Sequence, residues 1–238
     1  MEVLPHAAAP EGRVCEDVPR SCYLRILSVS VGRPREVESR GKRVRTSIFK
    51  EPVAGAVWAR TLNLDGDEQS DLSVHGGRDK AVYVYPSEHY SYWRAQLPGV
   101  EFPWGAFGEN LTSEGLSETG VHIGDLVSIG AAEFVVTQPR LPCFKLGIRF
   151  GRLDMVKRFQ RSGRTGFYLA VQREGLIAAG DEVRLVAGEQ HGVSVADIVR
   201  LYTSHEGEQA LLRRAVGLAA LPESWREHFG ALLREPRR

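Results

Sequence analysis

Read for its apolar and polar positions, the chain divides into two stretches of different period. Between Tyr23 and Val186 the apolar residues come in short runs bounded by Gly and Pro. Residues 23–31 are rich in β-formers and stop at Gly32. Residues 46–50 and 57–62 are shorter strand candidates, and residues 81–85 form another that ends at Pro86. Pro86 suits the first turn of a helix, on which Tyr90, Trp93 and Leu97 share one face. Residues 103–120 read as a Gly-punctuated loop. Residues 121–123 and 126–129 flank Gly124-Asp125, a hairpin-turn signature. Residues 132–138 form a further strand candidate that runs directly into Pro139-Arg140-Leu141-Pro142-Cys143. Residues 154–160 read as a short helix with Met155, Val156 and Phe159 on one side, and residues 166–171 and 181–186 as late strands.

After Gly188 the period becomes helical. Ser194 to Asp197 has the form of a capping box, followed by Val195, Ile198, Val199 and Tyr202 at helical spacing. A second helix runs over about 208–216 and ends at Gly217, and a third starts near Pro222 with Trp225, Phe229, Leu232 and Leu233 on one face. Many short strands without regular intervening helices favour a barrel over a parallel sheet. The expected fold is therefore a mainly β barrel with short helices, residues 21–188, then a small three-helix domain, residues 189–238. Residues 1–20 read as a flexible leader, with no apolar segment of the kind a signal peptide needs.

Composition narrows the function classes. With 31 Lys+Arg against 30 Asp+Glu, the net charge of +1 offers no global field for nucleic acid or an anionic membrane. Anion recognition, if present, is local. No stretch approaches the roughly 20 apolar residues of a membrane span. The three cysteines, Cys15, Cys22 and Cys143, are too few and too irregularly spaced for a disulfide scaffold or a zinc ribbon. A soluble protein of a reducing, cytoplasmic compartment is expected.

Three constellations carry candidate chemistry. The acidic run from Asp65 to Asp71 lacks the ligand spacing of a calcium loop and reads as a solvated turn. It leads into His75-Gly76-Gly77, where paired glycines let backbone N–H groups turn toward an anion, or simply make a tight turn. Gly108-Glu109-Asn110 places an acceptor and an amide in a loop, as a ligand contact or as a cap. Cys143 follows a strand end between two prolines and Phe144, with Arg140 and Lys145 close in sequence. Lone cysteines are commonly structural, but neighbouring cations favour the thiolate, a soft metal ligand or a nucleophile.

The blocks 66–93, 107–125 and 138–146, in that order and spacing, resemble the MOSC domain, and within it the YiiM-type branch. The resemblance covers about residues 24–186, and the branch's C-terminal three-helix domain matches 194–233. It implies a β-barrel core that binds molybdenum cofactor, with Cys143 as molybdenum ligand and catalytic residue. It places His75, Gly76 and Gly77, and Gly108, Glu109 and Asn110, around the cofactor. Lys50 lies in a similar block and is expected at the cofactor's phosphate or pterin. Arg140 and Lys145 are expected to offset its negative charge. Arg78 stands where related sequences often have Pro, and no role is carried to it.

Two readings follow from the resemblance. In the first the protein is an oxidoreductase that reduces N-hydroxylated or N-oxide compounds such as hydroxylamino-purines. No Gly-x-Gly-x-x-Gly follows a strand, so an external electron-donor protein is implied. In the second it carries the cofactor, or sulfur on Cys143, to another enzyme. A Cys–His hydrolase pairing Cys143 with His75 or His89 is a weaker third. The helical tail is a candidate for homodimer formation or for receiving the donor, while Trp225 and Phe229 are expected in its core.

Overall fold

The computed structural model describes residues 24–70, 76–188, 192–204 and 209–234. Cys15, Cys22, His75 and the expected leader lie outside the described residues. The strands are β1 (Arg25–Val31), β2 (Arg35–Ser39), β3 (Lys42–Thr46), β4 (Glu51–Pro52), β5 (Val57–Ala59), β6 (Val82–Pro86), β7 (Leu111–Glu114), β8 (Leu126–Ile129), β9 (Ala132–Pro139), β10 (Phe167–Arg173), β11 (Gly175–Ile177) and β12 (Val183–Val186). The helices are α1 (Glu88–Gln96), α2 (Phe144–Phe150), α3 (Met155–Ser162), α4 (Val195–Ser204), α5 (Gln209–Gly217) and α6 (Glu223–Arg234).

Eight strands pair in the order β12-β8-β9-β10-β6-β7-β1-β4. The β6–β7 pair is parallel and the others are antiparallel. The sheet closes on itself just ahead of β12. Ile26 N–H donates to Asp181 O, Gly180 N–H to Ile26 O and Val183 N–H to Leu24 O. Closure removes the open edges, and the expected barrel is what the sequence forms.

The alternation along β6 and β10 positions the functional surface. Val82 and Val84 of β6, with Phe167, Leu169 and Val171 of β10, point into the barrel core. Tyr83 and Tyr85 point the other way, into a second cluster with Tyr90, Trp93, Phe107 and Phe159. These strands are buried on both faces, because α1, α2 and α3 cover the outside of the barrel here. In register, Tyr83 pairs with Tyr168, and Tyr168 with Gln138 of β9. One row of polar-tipped side chains thus crosses three neighbouring strands on the outer face.

Several local expectations are corrected. Residues 47–50 are not a strand; the strand there is β3, which ends at Thr46 and pairs with β2 in a hairpin. Its turn uses Arg40 and Gly41, both at positive φ, as a two-residue hairpin turn requires. The loop expected over 103–120 contains β7, held by parallel pairing to β6. Gly124-Asp125 does not join a hairpin: β8 pairs with β9 and β12, while His122 bridges to Ser194. Pro86 ends β6 rather than entering α1, whose N-cap position is Ser87. Helix α2, directly after Cys143, was not expected.

The C-terminal helices form where the apolar spacing places them. Ser194 and Asp197 make a reciprocal cap, Asp197 N–H donating to Ser194 Oγ at 3.0 Å and Ser194 N–H to Asp197 Oδ2 at 3.0 Å. Their core is not separate from the barrel's. Val195, Ile198, Leu211, Ala215, Trp225 and Phe229 belong to one apolar cluster with Val121, Ile123, Val127 and Phe134.

Candidate functional site

The site is assembled over the outer row of β6, β10 and β9. Tyr83 and Tyr168 form part of the lining of a cavity, their rings 5.3 Å apart. Arg140, just past β9, lays its guanidinium 4.9 Å from the Tyr83 ring centre and 5.2 Å from that of Phe159. The chain then turns through Leu141 and Pro142 to Cys143, at the N-cap position of α2, whose side chain makes no capping bond. Lys145, two residues on, donates to Ser70 Oγ at 3.4 Å. Lys50 and Lys80 complete the cationic lining, and Gln69, Asn110 and Gly108 reach the same cavity.

Cationic side chains are gathered on this cavity, as local anion recognition by a near-neutral chain would need. Arg140 is only 6% exposed. Burial works against its charge, but Tyr83, Tyr168 and Cys143, negative when ionised, hold its pKa above the ordinary value. Its Nη1 is buried with no hydrogen-bond partner among the described residues. Lys50 is 9% exposed and ion-paired with Asp67. Burial pushes the Lys50 amine below its ordinary value, and Asp67 opposes that shift. Asp67 also accepts from Gly32 N–H at 2.8 Å and Asn110 Nδ2 at 2.9 Å. Lys80 is likewise lowered by partial burial, against the pull of Asp79.

The structure brings together Lys50, Gly108, Asn110, Arg140, Cys143 and Lys145 from the sequence expectation. It does not bring Glu109, Gly76 or Gly77 to that lining. Glu109, fully buried, accepts from Gly105 N–H, Phe107 N–H, Thr112 Oγ and the Tyr90 hydroxyl. It anchors its own loop. That loop lies so close to residues 48–50 that a Cβ on Gly105 would come within 2.7 Å of Lys50 O, and one on Gly108 within 2.8 Å of Ile48 Cγ1. Gly77 N–H donates to Gln69 Oε1 at 2.9 Å, so this glycine positions a lining side chain. His89 pairs with Glu118 at 2.8 Å and does not line the cavity of Cys143. Asp67, Lys80, Tyr83 and Tyr168 are residues that sequence reasoning passed over. Among the described residues no group of three or more His, Cys, Asp or Glu is arranged to hold a metal ion alone.

Molybdenum cofactor, the group with which MOSC domains are associated, is anionic through its terminal phosphate and needs a soft protein ligand. The donors fit it. One thiol shares the lining with three lysines and a buried arginine that, among the described residues, leaves one nitrogen without a partner; of the two carboxylates there, Asp67 and Glu68, the first is already matched to Lys50. Cys143 would hold the metal, and Arg140, Lys145 and Lys50 the anionic parts.

Comparison with known proteins gives the family. The MOSC domain model matches residues 71–184, and a YiiM-like 3-alpha helix domain model matches residues 193–235. An uncharacterized protein, YflK, of Bacillus subtilis (strain 168) is 42% identical over 204 residues, 86% of this chain and 92% of that protein. The crystal structure of YiiM from Geobacillus stearothermophilus superposes with a TM-score of 0.73 at 35% identity, covering 88% of this chain and 99% of that one. A protein named reductase from Gibberella moniliformis (strain M3125 / FGSC 7600) is 33% identical over 196 residues, which take up 81% of this chain but 35% of that longer protein. The chain belongs to the MOSC-domain family, in its YiiM-like branch.

Proposed function

We propose that the protein is a molybdenum cofactor-dependent reductase acting on N-hydroxylated or N-oxide compounds, hydroxylamino-purines among them. The observation that carries this is the thiol of Cys143 on a cavity whose buried Arg140 keeps a nitrogen without a partner among the described residues. A buried donor of that kind costs stability unless a ligand completes it. The similarity to a protein named reductase supports the same reading. When bound, the cofactor supplies two-electron redox chemistry. The chain's own residues do the rest. Cys143 offers the soft ligand, Arg140 and Lys145 offset negative charge beside it, and Lys50 holds an anionic group of the same ligand.

For a hydroxylamine the balance is R–NHOH + 2 e⁻ + 2 H⁺ → R–NH₂ + H₂O, breaking one N–O bond. The electrons come from an external donor protein in the cytoplasm, since the sequence carries no dinucleotide fingerprint. The test is metal and pterin analysis of protein made in cofactor-competent cells, followed by reduction of 6-hydroxylaminopurine by chemically reduced samples. Equimolar molybdenum and pterin are expected, with turnover abolished in Cys143→Ala. Protein without molybdenum or pterin would sink the proposal. Cofactor or a Cys143 persulfide without turnover would select a carrier instead.

A further inference from the structure

A second cavity, of about 480 Å³, opens on the other side of Cys143. It shares Cys143, Tyr168, Lys80 and Leu141 with the cationic one. Its far wall comes from the helical segment: Tyr202 of α4, with Ser224, Trp225 and His228 of α6. We infer that this second cavity is a binding site for a planar nitrogen heteroaromatic ring, and that Trp225, Tyr202 and His228 select for it. This rests on the proposed reductase reading for the reaction at the thiol, though not for the binding itself.

The wall is a set of π faces held in place. The Tyr202 ring centre lies 5.3 Å from that of Trp225 and 5.5 Å from that of His228. Trp225 Nε1 donates to Gln138 Oε1 at 2.7 Å, and Gln138 Nε2 donates to Asp79 O at 3.3 Å. The indole edge is therefore satisfied inside the protein. His228 Nε2 is buried with no hydrogen-bond partner among the described residues, a polar atom that a nitrogen-bearing ligand can match. Tyr168 of β10 lines the same cavity, so a flat ring entering beside Cys143 meets aromatic surface from both the barrel and the helices. The volume falls in the range of about 300–1,000 Å³ usual for small-molecule pockets. An acyclic or puckered substrate gains little from such walls, whereas a heteroaromatic base stacks on them. The two cavities divide the work: charge on one side of the thiol for the anionic cofactor, aromatic faces on the other for the substrate's ring.

The test is calorimetric titration of adenine into the full chain, prepared with and without molybdenum cofactor. Competition by 6-hydroxylaminopurine and by N-cyclohexylhydroxylamine is measured in the same way. Adenine is expected to bind both preparations. Trp225→Ala is expected to weaken it roughly tenfold, Trp225→Phe to restore most of that, and molybdenum and pterin content to stay unchanged. Because Trp225 is nearly buried, Tyr202→Leu serves as a second variant, with a smaller loss expected and its melting temperature checked. N-Cyclohexylhydroxylamine is expected to compete poorly and to be indifferent to Trp225→Ala. Adenine binding without any reductase activity would refute the proposed reaction while supporting the ring site. No adenine binding to native protein, an equal loss for the puckered ligand, or loss of pterin from Trp225→Ala would overturn the ring site.

Discussion

Lys50 and Asp67 set how much charge the cationic cavity can offer an anion. Both are buried, and burying an ion pair costs desolvation that the attraction repays only when the remaining donors and acceptors are satisfied. Asp67 meets that condition through Gly32 N–H and Asn110 Nδ2. Removing one partner strands the other charge, at about 3–5 kcal/mol. Asp67→Ala is therefore expected to lower the unfolding free energy obtained from urea titration by that much. Adding Lys50→Met should recover part of the loss, since no charge is then left alone. A double variant destabilised by the sum of the single effects would show that the two are not coupled. This pair also marks what the sequence could reveal at residue scale. Cys143, Arg140 and Lys145 are legible because they are neighbours in one segment. Lys50 and the glycine-bearing loops came through family resemblance. Asp67 sits in an acidic run that reads as a solvated turn, and nothing local says that its carboxylate turns inward to a lysine 17 residues earlier. Tyr83 and Tyr168 sit at the outward positions of strands that are apolar on both faces, so the pattern does not separate a site residue from a core one.

At the scale of elements, Glu118 ties three of them together. It pairs with His89 of α1, accepts from Gly166 N–H ahead of β10 at 2.8 Å, and its backbone carbonyl accepts from Ala196 N–H in α4. Burial pushes its pKa up, but the His89 contact and the Gly166 N–H outweigh that and hold it below 4.5. The folded state thus binds protons less readily than the unfolded one. The stabilisation is present above the unfolded value and is lost as pH falls through the folded one. Glu118→Gln should cost about 1–3 kcal/mol at neutral pH, and its melting temperature should converge on that of the native chain as the pH drops below 4.5. A gap that stays constant into acid would refute this account. Elements with a strong period were readable: α1, α3, β9 and the three C-terminal helices. The β2–β3 hairpin was not, because its residues are largely exposed on both faces and show no alternation. Strand β7 is four residues long and is held between β6 and β1, the nearer in sequence 27 positions away at Val84↔Leu111, partners that no local pattern announces.

For the whole molecule, the sequence suggests a boundary near Gly188 that the packing crosses. The apolar cluster inside the barrel runs without a break into α4, α5 and α6, and Trp225 reaches back to Gln138 on β9. Fully burying one large apolar side chain is worth about 1.5–3 kcal/mol, while a domain's net stability is about 5–15 kcal/mol. Stripping away Ile198, Leu211, Leu212, Trp225 and Phe229 removes contacts comparable to that whole margin and bares the barrel end they cover. Division into residues 21–188 and 189–238 is a reading of the sequence, and the family models match 71–184 and 193–235; the shared core leads us to expect folding that is cooperative across that boundary. A chain truncated after Gly188 should fail to give monomeric protein with a cooperative melt. The full chain should unfold in one transition, monitored alike by far-ultraviolet circular dichroism and by tryptophan fluorescence. Two separated transitions, or a truncated barrel that melts as the full chain does, would show that the helices are a mere appendage. In that case their aromatic wall beside Cys143 would have to be held by something other than the shared core.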